Sequence, residues 1–520
     1  MRKRFQEILT GPNPGAAFPV GAEVVSFRGF PTSPDAGTAS PPLALAEELL
    51  ADERIAWVSF TDNPGGNPML PPDALAALVA EGYRDNVVVH LTCKDINRAS
   101  LESALWRNAG SGLNNILALS GDLPMVGNPK RPAGVFDLDS SAMLALISAM
   151  NAGLETQGRG GVERLPACSF FAGCTVNPFK RNENELVPQY YKLVRKLRAG
   201  AKWVLPQLGY DMRKFAEVQH FMKTTGITVP LVGNVYVLNR TVARMFNEGK
   251  LPGCTVSDGL YAEIEKYAAG ADKGRKFFRE LAAKQLAVFR GLGFAAGYLG
   301  GLSRADAFFD IIDMAERFSP DDWKLFYQEI QFSFPGEFFY FDEELGKLNP
   351  QLAQKTPSAN ITFFYRFSRL VHAVVFQKGQ GLNPLLAASI RAFDRDNMFC
   401  RIVNGMMHFI EKNSKYILYR CSDCGDCGLP DTAYLCPMNS CSKNMRNGPC
   451  GGSLNGRCEA GDKDCIWAIA YDRLKRFHEL DEFRDRPVIT YDASLKDTSA
   501  WKNFYLERDH RKSTEANSGS

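Results

Sequence analysis

An alternation of short apolar runs with amphipathic segments, between about residue 20 and residue 300, constrains the fold of this chain most strongly. The runs have the length of strands, and the segments between them repeat their apolar residues with the period of a helix. The predicted strands are Ala22–Phe27, Ile55–Thr61, Asn86–Thr92, Asn115–Leu119, Ala167–Ala172, Lys202–Pro206, Thr228–Gly233 and Phe294–Leu299. Eight strands, each followed by a helix until the last, favour an α/β fold of the (β/α)8 TIM barrel type. A doubly wound open sheet permits the same alternation, but no GxGxxG motif stands at a strand-to-helix junction, so we favour the barrel.

Composition excludes several classes of function. The chain has 61 Lys and Arg against 58 Asp and Glu, without a long basic run, which argues against nucleic acid as the main partner. The start, MRKRFQEILTG, has no apolar segment after its basic residues, so we expect no secretory signal. No uninterrupted apolar stretch has the length of a membrane span, so we expect no membrane insertion and a cytoplasmic location.

The apolar pattern changes after residue 302, where long aromatic-rich segments with helical character begin. We therefore predict four parts: a barrel over 1–302, a helical connector over 303–410, a small cysteine-rich metal-binding domain over 411–485, and a C-terminal extension over 486–520. The extension ends in the polar segment DHRKSTEANSGS, which we expect to be disordered from Asp509 onward.

Eight of the thirteen cysteines fall between Cys421 and Cys465. Clustered cysteines in a reducing compartment favour metal binding over disulfides. The predicted ligands are Cys421, Cys424, Cys427, Cys436, Cys441, Cys450, Cys458 and Cys465. The first three form CxxCxxC and the fourth precedes a proline, which is typical of iron–sulfur ligands, but the CxxC pairs also describe a zinc site. [4Fe–4S] clusters, zinc or one of each remain open, and spacing does not divide the eight into sites.

Enzymes built on this barrel carry their chemistry at the carboxyl ends of the strands. The polar residues at the predicted strand ends include Glu23, Thr61, Asp62, His90, Thr92, Ser120, Gly121, Asp122, Asn177 and Gln207. Position alone leaves a structural role open for each of them. Glu23 can pair with a nearby Arg or Lys, and Asp122 can simply form the turn after Gly121.

Four segments in order resemble the methylenetetrahydrofolate reductase family. They are AEVVSFR (Ala22–Arg28), HLTC (His90–Cys93), NNILALSGDLP (Asn114–Pro124) and KLVRKLRAGAKWVLPQLGYD (Lys192–Asp211). The run CSDCGDC…CP…C…NGPCGG…C…C is similar to a cysteine-rich module that some members of this family carry and that occurs elsewhere as a separate partner subunit.

The resemblance implies a flavoprotein, with FAD, that interconverts 5,10-methylenetetrahydrofolate and 5-methyltetrahydrofolate. In that reaction Glu23 would be the acid that protonates N10, Asp122 would act on the flavin and the pterin, and Gln207 would bind the pterin. The implied flavin-binding residues are Thr61, His90, Ser120, Gly121, Asp122 and Lys196. If the module holds clusters, ferredoxin or another electron-transfer protein would reduce the flavin; if it holds zinc, NAD(P)H would do so directly.

Two other functions remain open. A pterin-dependent methyltransferase can use the same barrel without flavin, and a non-catalytic scaffold can use the cysteine module to dock a partner reductase. The oligomeric state is also open, with a homo-oligomer among the expectations.

Overall fold

A computed structural model of the chain describes residues 2–11, 17–32, 39–127, 129–158, 160–342, 345–354 and 360–511. Its β-strands are β1 (Val20–Val24), β2 (Trp57–Phe60), β3 (Val87–Thr92), β4 (Asn115–Leu119), β5 (Glu155–Gly158), β6 (Gly161–Arg164), β7 (Phe171–Val176), β8 (Trp203–Pro206), β9 (Val232–Tyr236) and β10 (Ala296–Gly300). Its α-helices are α1 (Phe5–Thr10), α2 (Pro41–Ala51), α3 (Pro72–Ala76), α4 (Arg98–Gly110), α5 (Ser140–Ala152), α6 (Glu183–Arg198), α7 (Met212–Thr224), α8 (Arg240–Asn247), α9 (Asp258–Ala268), α10 (Arg275–Leu292), α11 (Ala305–Glu316), α12 (Asp322–Glu329), α13 (Phe363–Val371), α14 (Asn383–Ala392), α15 (Met398–Tyr419), α16 (Pro437–Ser440), α17 (Ile466–Arg476), α18 (Leu480–Asp485) and α19 (Ala500–Tyr505). Among the described residues, no helix combines the length and the apolar character that a membrane crossing needs.

Eight parallel strands form one sheet, in the order β8–β7–β4–β3–β2–β1–β10–β9. A parallel bridge between Val204 of β8 and Leu231, directly before β9, brings the two ends of the sheet together. Parallel neighbours need crossover connections, which the helices supply on the outside of the sheet. The predicted (β/α)8 barrel is therefore confirmed. The last strand, β10, is also followed by a helix, α11, which packs against α10 and α2.

Aromatic side chains fill the barrel at the amino-terminal ends of its strands. Phe5 of α1 is fully buried among the rings of Trp57, Phe171 and Trp203, at centroid distances of 5.0, 6.0 and 5.3 Å. Glycine makes room for one indole, since a Cβ at Gly173 would lie 2.1 Å from the Trp203 ring. This end of the barrel is a packed core, so a ligand finds room at the opposite end, where the strands finish.

Two strands begin four residues later in the chain than the sequence predicts. The prediction Thr228–Gly233 becomes β9, because Pro230 has no N–H to donate and regular pairing starts only after it. The prediction Ala167–Ala172 becomes β7, whose pairing continues through Gly173, where the missing side chain accommodates Trp203.

The cysteine-rich segment is docked on the barrel helix α6. The Tyr471 hydroxyl donates a hydrogen bond to Glu183 Oε1 at 2.6 Å, and Lys475 pairs with the same carboxylate. The Arg195 guanidinium lies over the ring of Phe483, 4.6 Å from its centroid. All five side chains are buried, so these contacts fix the segment against the barrel.

The chain after residue 508 differs from the prediction of disorder from Asp509 onward. Asp509 and His510 are 4% and 5% exposed. His510 Nδ1 lies 2.5 Å from Asp426 Oδ1, and Nε2 lies 3.2 Å from Asp431 Oδ2. Burial opposes charge on this imidazole, but the two carboxylates raise the pKa of His510 to about 9. Ion pairs rather than apolar contacts hold residues 509–511, which is why a polar composition misled the prediction; residues 512–520 lie outside the described residues.

Candidate active site at the mouth of the barrel

The carboxyl ends of the barrel strands surround a cavity of about 280 Å³. All eight residues that were predicted to bind substrate or flavin line it: Glu23, Thr61, His90, Ser120, Gly121, Asp122, Lys196 and Gln207. They are far apart in sequence and meet because parallel strands finish at one end of the barrel. The structure brings the predicted residues together; the chemical role of each stays a prediction.

Glu23, on β1, has the acid–base properties of a proton donor at neutral pH. Burial raises the pKa of its carboxyl to about 7. Hydrogen bonds from the Gly301 N–H and the Tyr298 hydroxyl stabilise the carboxylate, and so they lower the pKa and limit the increase that burial causes. In the described part of the chain no basic side chain pairs with Glu23, so the alternative of a structural ion pair has no support there.

A buried polar network continues from Tyr298. Its hydroxyl lies 2.5 Å from Ser59 Oγ and 3.5 Å from His90 Nε2. Burial lowers the pKa of His90 to about 4, so this imidazole is neutral at physiological pH. A neutral imidazole offers one donor and one acceptor to a ligand without adding charge.

Gly300 leaves the space that the Glu23 carboxyl occupies. A Cβ at Gly300, the last residue of β10, would lie 2.8 Å from Glu23 Oε1 and 3.2 Å from the carboxyl carbon. The residue has ordinary backbone angles, so the requirement for glycine here is one of space and not of conformation.

The turn after β4 holds Asp122 at the cavity wall. The Gly65 N–H donates to Asp122 Oδ2 at 3.0 Å. Gly121 has a φ of +84°, and a Cβ there would lie 2.9 Å from both Thr92 and Lys94. Glycine is therefore required at this position by conformation and by space, and the carboxylate that follows it is fixed.

Three other predicted residues already hydrogen-bond within the protein. Thr61 Oγ1 accepts from the Ser26 N–H at 3.2 Å, and Ser120 Oγ lies 3.2 Å from Ser140 Oγ. Gln207 Oε1 accepts from the N–H of Leu208 at 3.0 Å. These bonds orient the three side chains at the cavity wall.

Helix α6 contributes two buried donors. Lys196 is 7% exposed and donates to the carbonyl of Thr175 at 2.6 Å, and burial lowers its pKa to about 8. Gln189 is 5% exposed, lines the cavity, and its Nε2 has no hydrogen-bond partner in the described residues. A buried donor without a partner is rare in folded proteins and suits a ligand with an acceptor at that position.

A loop of the cysteine-rich segment forms one wall of the cavity. The carbonyl of Gly451 accepts hydrogen bonds from Asn177 Nδ2 at 3.0 Å and from Lys180 Nζ at 2.5 Å. Farther along the loop, Asn447 donates to the buried Asp139 carboxylate from its backbone at 3.0 Å and from its side chain at 3.1 Å. Buried hydrogen bonds to barrel side chains thus fix the loop at two points.

Lys443 carries a positive charge from the cysteine-rich segment into the site. It is 4% exposed, donates to the carbonyl of Gly121 at 2.8 Å and pairs with Glu459. Burial opposes this charge, but Cys450, Glu459 and Asp122 nearby raise the pKa of Lys443. The ammonium therefore stays charged beside the turn that holds Asp122.

A second cavity of about 530 Å³ adjoins the first and shares five lining residues with it, among them Asp122, Gly452 and Glu459. Its other walls come from the loop 249–255 and from residues 453–460 of the cysteine-rich segment. The two volumes lie in the range of about 300–1,000 Å³ that is typical of ligand sites.

The eight predicted metal ligands divide into two groups of electrostatic neighbours. Cys421, Cys424, Cys427 and Cys436 form one group, and Cys441, Cys450, Cys458 and Cys465 form the other. Burial raises the pKa of Cys424 to about 12 and that of Cys465 to about 11. All thirteen cysteines lie in the described residues and are free thiols. No three His, Cys, Asp or Glu side chains in that part of the chain are arranged to hold a metal ion, so metal binding stays a prediction.

Several residues at the cavity were missed by the sequence analysis. Tyr298 lies within the predicted strand Phe294–Leu299 and lines the cavity. A tyrosine hydroxyl that faces the inside of the barrel could have indicated it as a site residue. Gln189 lies between the fifth and the sixth predicted strands, where a helix is expected and a polar residue is ordinary. Lys443 and Glu459 gave no signal, because only the docking of distant segments brings them to the site.

The chain was compared with known families and solved structures. Residues 20–313 match the family model "Methylenetetrahydrofolate reductase", and residues 400–493 match the model "Methylene-tetrahydrofolate reductase C terminal". One similar structure is an uncharacterized protein from Clostridium thermocellum that binds two copies of 5-methyl-5,6,7,8-tetrahydrofolic acid, at 11% identity over 60% of this chain and 96% of that chain, with a TM-score of 0.41. Another is 2,3-dimethylmalate lyase, a member of the PEP mutase/isocitrate lyase superfamily, at 11% identity over 60% of this chain and 84% of that chain, with a TM-score of 0.31. Neither score is high enough to support an inference.

The first family model spans more than half of the sequence, which confirms the predicted resemblance. The chain belongs to the methylenetetrahydrofolate reductase family.

Proposed function

We propose that the protein is a flavin-dependent oxidoreductase that interconverts 5,10-methylenetetrahydrofolate and 5-methyltetrahydrofolate. The observation that carries this proposal is the Glu23 carboxyl, whose pKa burial raises to about 7, in one cavity with Asp122 and Gln207. Opening the methylene bridge requires an acid at N10, and a carboxyl with a near-neutral pKa can both give and take up that proton. Membership of the reductase family supports the reaction class.

In the reductive direction the neutral form of Glu23 would donate its proton to N10 as the bridge opens. The carboxylate that remains would be stabilised by the Tyr298 hydroxyl and the Gly301 N–H, which already donate to it. The fixed negative charge of Asp122 would stabilise the cationic iminium that forms, and Gln207 would hydrogen-bond the pterin. In the oxidative direction Glu23 would take the proton back.

FAD, when bound, would supply or accept the hydride. The residues proposed to hold it are Thr61, His90, Ser120, Gly121, Asp122 and Lys196. Two observations support such a ligand: the Nε2 of Gln189 has no hydrogen-bond partner among the described residues, and the buried Lys196 provides a second donor on the same helix. The neutral His90 adds a hydrogen-bonding group without a charge.

We also infer that the cysteine-rich segment is part of this active site. Its residues Lys443, Gly451 and Glu459 line the cavity that holds Glu23. The two groups of four cysteines would hold [4Fe–4S] clusters or zinc. Clusters would connect the flavin to ferredoxin or another protein donor, whereas zinc would be structural and leave the reduction of the flavin to NAD(P)H. Iron and zinc analysis of anaerobically purified protein separates these two cases.

The deciding experiment is an absorption spectrum of anaerobically purified protein, reconstituted with FAD, before and after addition of 5-methyltetrahydrofolate. We expect the flavin band to bleach. Glu23→Gln should keep the flavin and slow bleaching by about 10²–10⁴-fold, as loss of a general acid–base group does. Glu47→Gln, on an exposed face of α2, is the matched control and should bleach normally. Protein that binds no FAD, or bound flavin that does not bleach, would overturn the proposal; a colourless protein that binds 5-methyltetrahydrofolate would favour the methyltransferase.

A further inference from the structure

Helix α15 presents apolar side chains to solvent along its whole length. Phe399, Ile402, Met406, Phe409 and Tyr416 are each more than half exposed. Isolated exposed apolar residues are normal on a protein surface, but a continuous row of large ones marks a site of interaction.

The spacing of this row is that of a helix which packs against another helix. Counted from Phe399, the exposed residues follow one another at intervals of three, four and three, and Asn413 and Tyr416 continue the series. This is the a/d pattern of a coiled coil over almost three heptads. A single Asn at one such position is the feature by which paired helices fix their register and their number.

The opposite face of α15 anchors the helix to the rest of the protein. Cys400, Glu411 and Lys415 are buried on that face. The Glu411 carboxylate accepts hydrogen bonds from the Ser499 hydroxyl at 2.6 Å and from the Trp501 N–H at 3.0 Å. With these residues on the inner side, the apolar row cannot turn inward without breaking buried polar contacts.

The charges of α15 argue against a lipid surface. An amphipathic helix that lies on a membrane presents Lys and Arg to the anionic headgroups. Here each Lys and Arg of the helix is in an ion pair: Arg401 with Asp396 at 2.6 Å, Lys412 with Asp423 at 3.0 Å, and Lys415 with Glu411 at 2.5 Å. The apolar row therefore has no surplus of positive charge beside it.

The size of the row suits a second copy of this chain better than an electron-transfer protein. Met398, Ile410 and Ile417 are also more than half exposed, which makes eight large side chains on one helix. At about 100 Å² each, these bury on the order of 800 Å², the area that one partner contributes to a standard stable interface. Complexes with electron-transfer proteins are smaller.

We propose that the protein forms a homodimer in which α15 of one protomer packs against α15 of its partner around a two-fold axis. A two-fold interface brings the same surface of both copies together, so an uncharged apolar row is complementary to itself. The helix of 22 residues provides about 33 Å of contact length at about 1.5 Å per residue. This inference does not depend on the reaction that the barrel catalyses.

Sedimentation equilibrium of the full chain at micromolar concentration tests the proposal. We expect the wild type to have twice the mass of the 57.6 kDa chain. Phe409→Glu and Ile402→Glu each place a charge in the interface and should weaken dimerisation by about 100-fold or more. Both side chains are exposed in a single copy, so the far-ultraviolet circular dichroism of each folded variant should match that of the wild type.

Leu325→Glu is the matched control, since Leu325 is 59% exposed on α12 and lies outside the proposed interface. It should leave the dimer intact. A monomeric wild type, or a dimer that persists in both charged variants, would overturn the proposal. So would a monomeric wild type that binds vesicles of phosphatidylcholine and phosphatidylglycerol, because the row would then be a membrane contact.

Discussion

Replacing Glu23 by Gln should stabilise the fold above neutral pH while removing the proposed acid. The pKa of this carboxyl rises from 4.5 to about 7 because the fold buries it. A raised pKa means that the fold favours the neutral form, so the folded state loses free energy relative to the unfolded state as pH rises from about 4.5 through about 7. At about 1.4 kcal/mol per pKa unit, the loss is about 3.5 kcal/mol at most above pH 8, and water in the cavity reduces it. Glutamine is neutral at every pH and escapes this cost.

Urea unfolding of both proteins at pH 5 and at pH 8 measures this difference. Between the two conditions the wild type should lose up to about 2.5 kcal/mol of unfolding free energy that the variant keeps, since part of the full loss has already occurred at pH 5. The exposed Glu47→Gln should follow the wild type. If the wild type and Glu23→Gln change in parallel, the carboxyl is not held neutral by burial, and the argument for its role as an acid fails. In the same pH range, turnover in the reductive direction should fall as pH rises through about 7, because the neutral form is the proton donor.

Three further substitutions test other parts of the structure. Gly300→Ala places a methyl group against the Glu23 carboxyl, and steady-state turnover should fall by about 10-fold or more, since a displacement near 1 Å costs that much or more. Lys443→Met leaves the buried Glu459 without its partner and should lower the unfolding free energy by about 3–5 kcal/mol in urea titrations. Adding Glu459→Gln should restore most of that stability and leave the KM for the proposed folate substrate raised by about 10-fold, because one cavity wall is altered. An unchanged KM would remove the pair from the site. Phe5→Ala should cost about 3–5 kcal/mol in the same urea titrations, as expected for a fully buried ring, and a cost below about 1 kcal/mol would contradict its place in the barrel core.

Much of the barrel and its site was predictable because both depend on local patterns. Strand length and apolar runs placed most strands within a few residues, and strand ends indicated Glu23, Asp122 and Gln207. Helix α4 was expected only because a helix should follow each strand: its buried positions Leu101, Ala104, Leu105 and Asn108 keep helical spacing, but half of them are small or polar, so its own apolar pattern is weak.

What the sequence could not predict depends on contacts between distant segments. Lys443 reaches the carbonyl of Gly121 only because α17 and α18 dock on α6. The buried His510 pairs with Asp426 and Asp431, which come more than seventy residues earlier in the chain. No local sequence pattern indicates such an ion pair.

The loop around Gly451 also sets an order for the making of the enzyme. A chain leaves the ribosome from its amino terminus, so the strands of the barrel can assemble well before residues 443–459 are synthesised. Throughout that interval the mouth of the barrel lacks the wall that Lys443, Gly451 and Glu459 provide. A nascent or truncated chain would hold every barrel residue of the site and still present an incomplete cavity. The cavity is therefore complete only after residues 443–459 have been synthesised and have docked on the barrel.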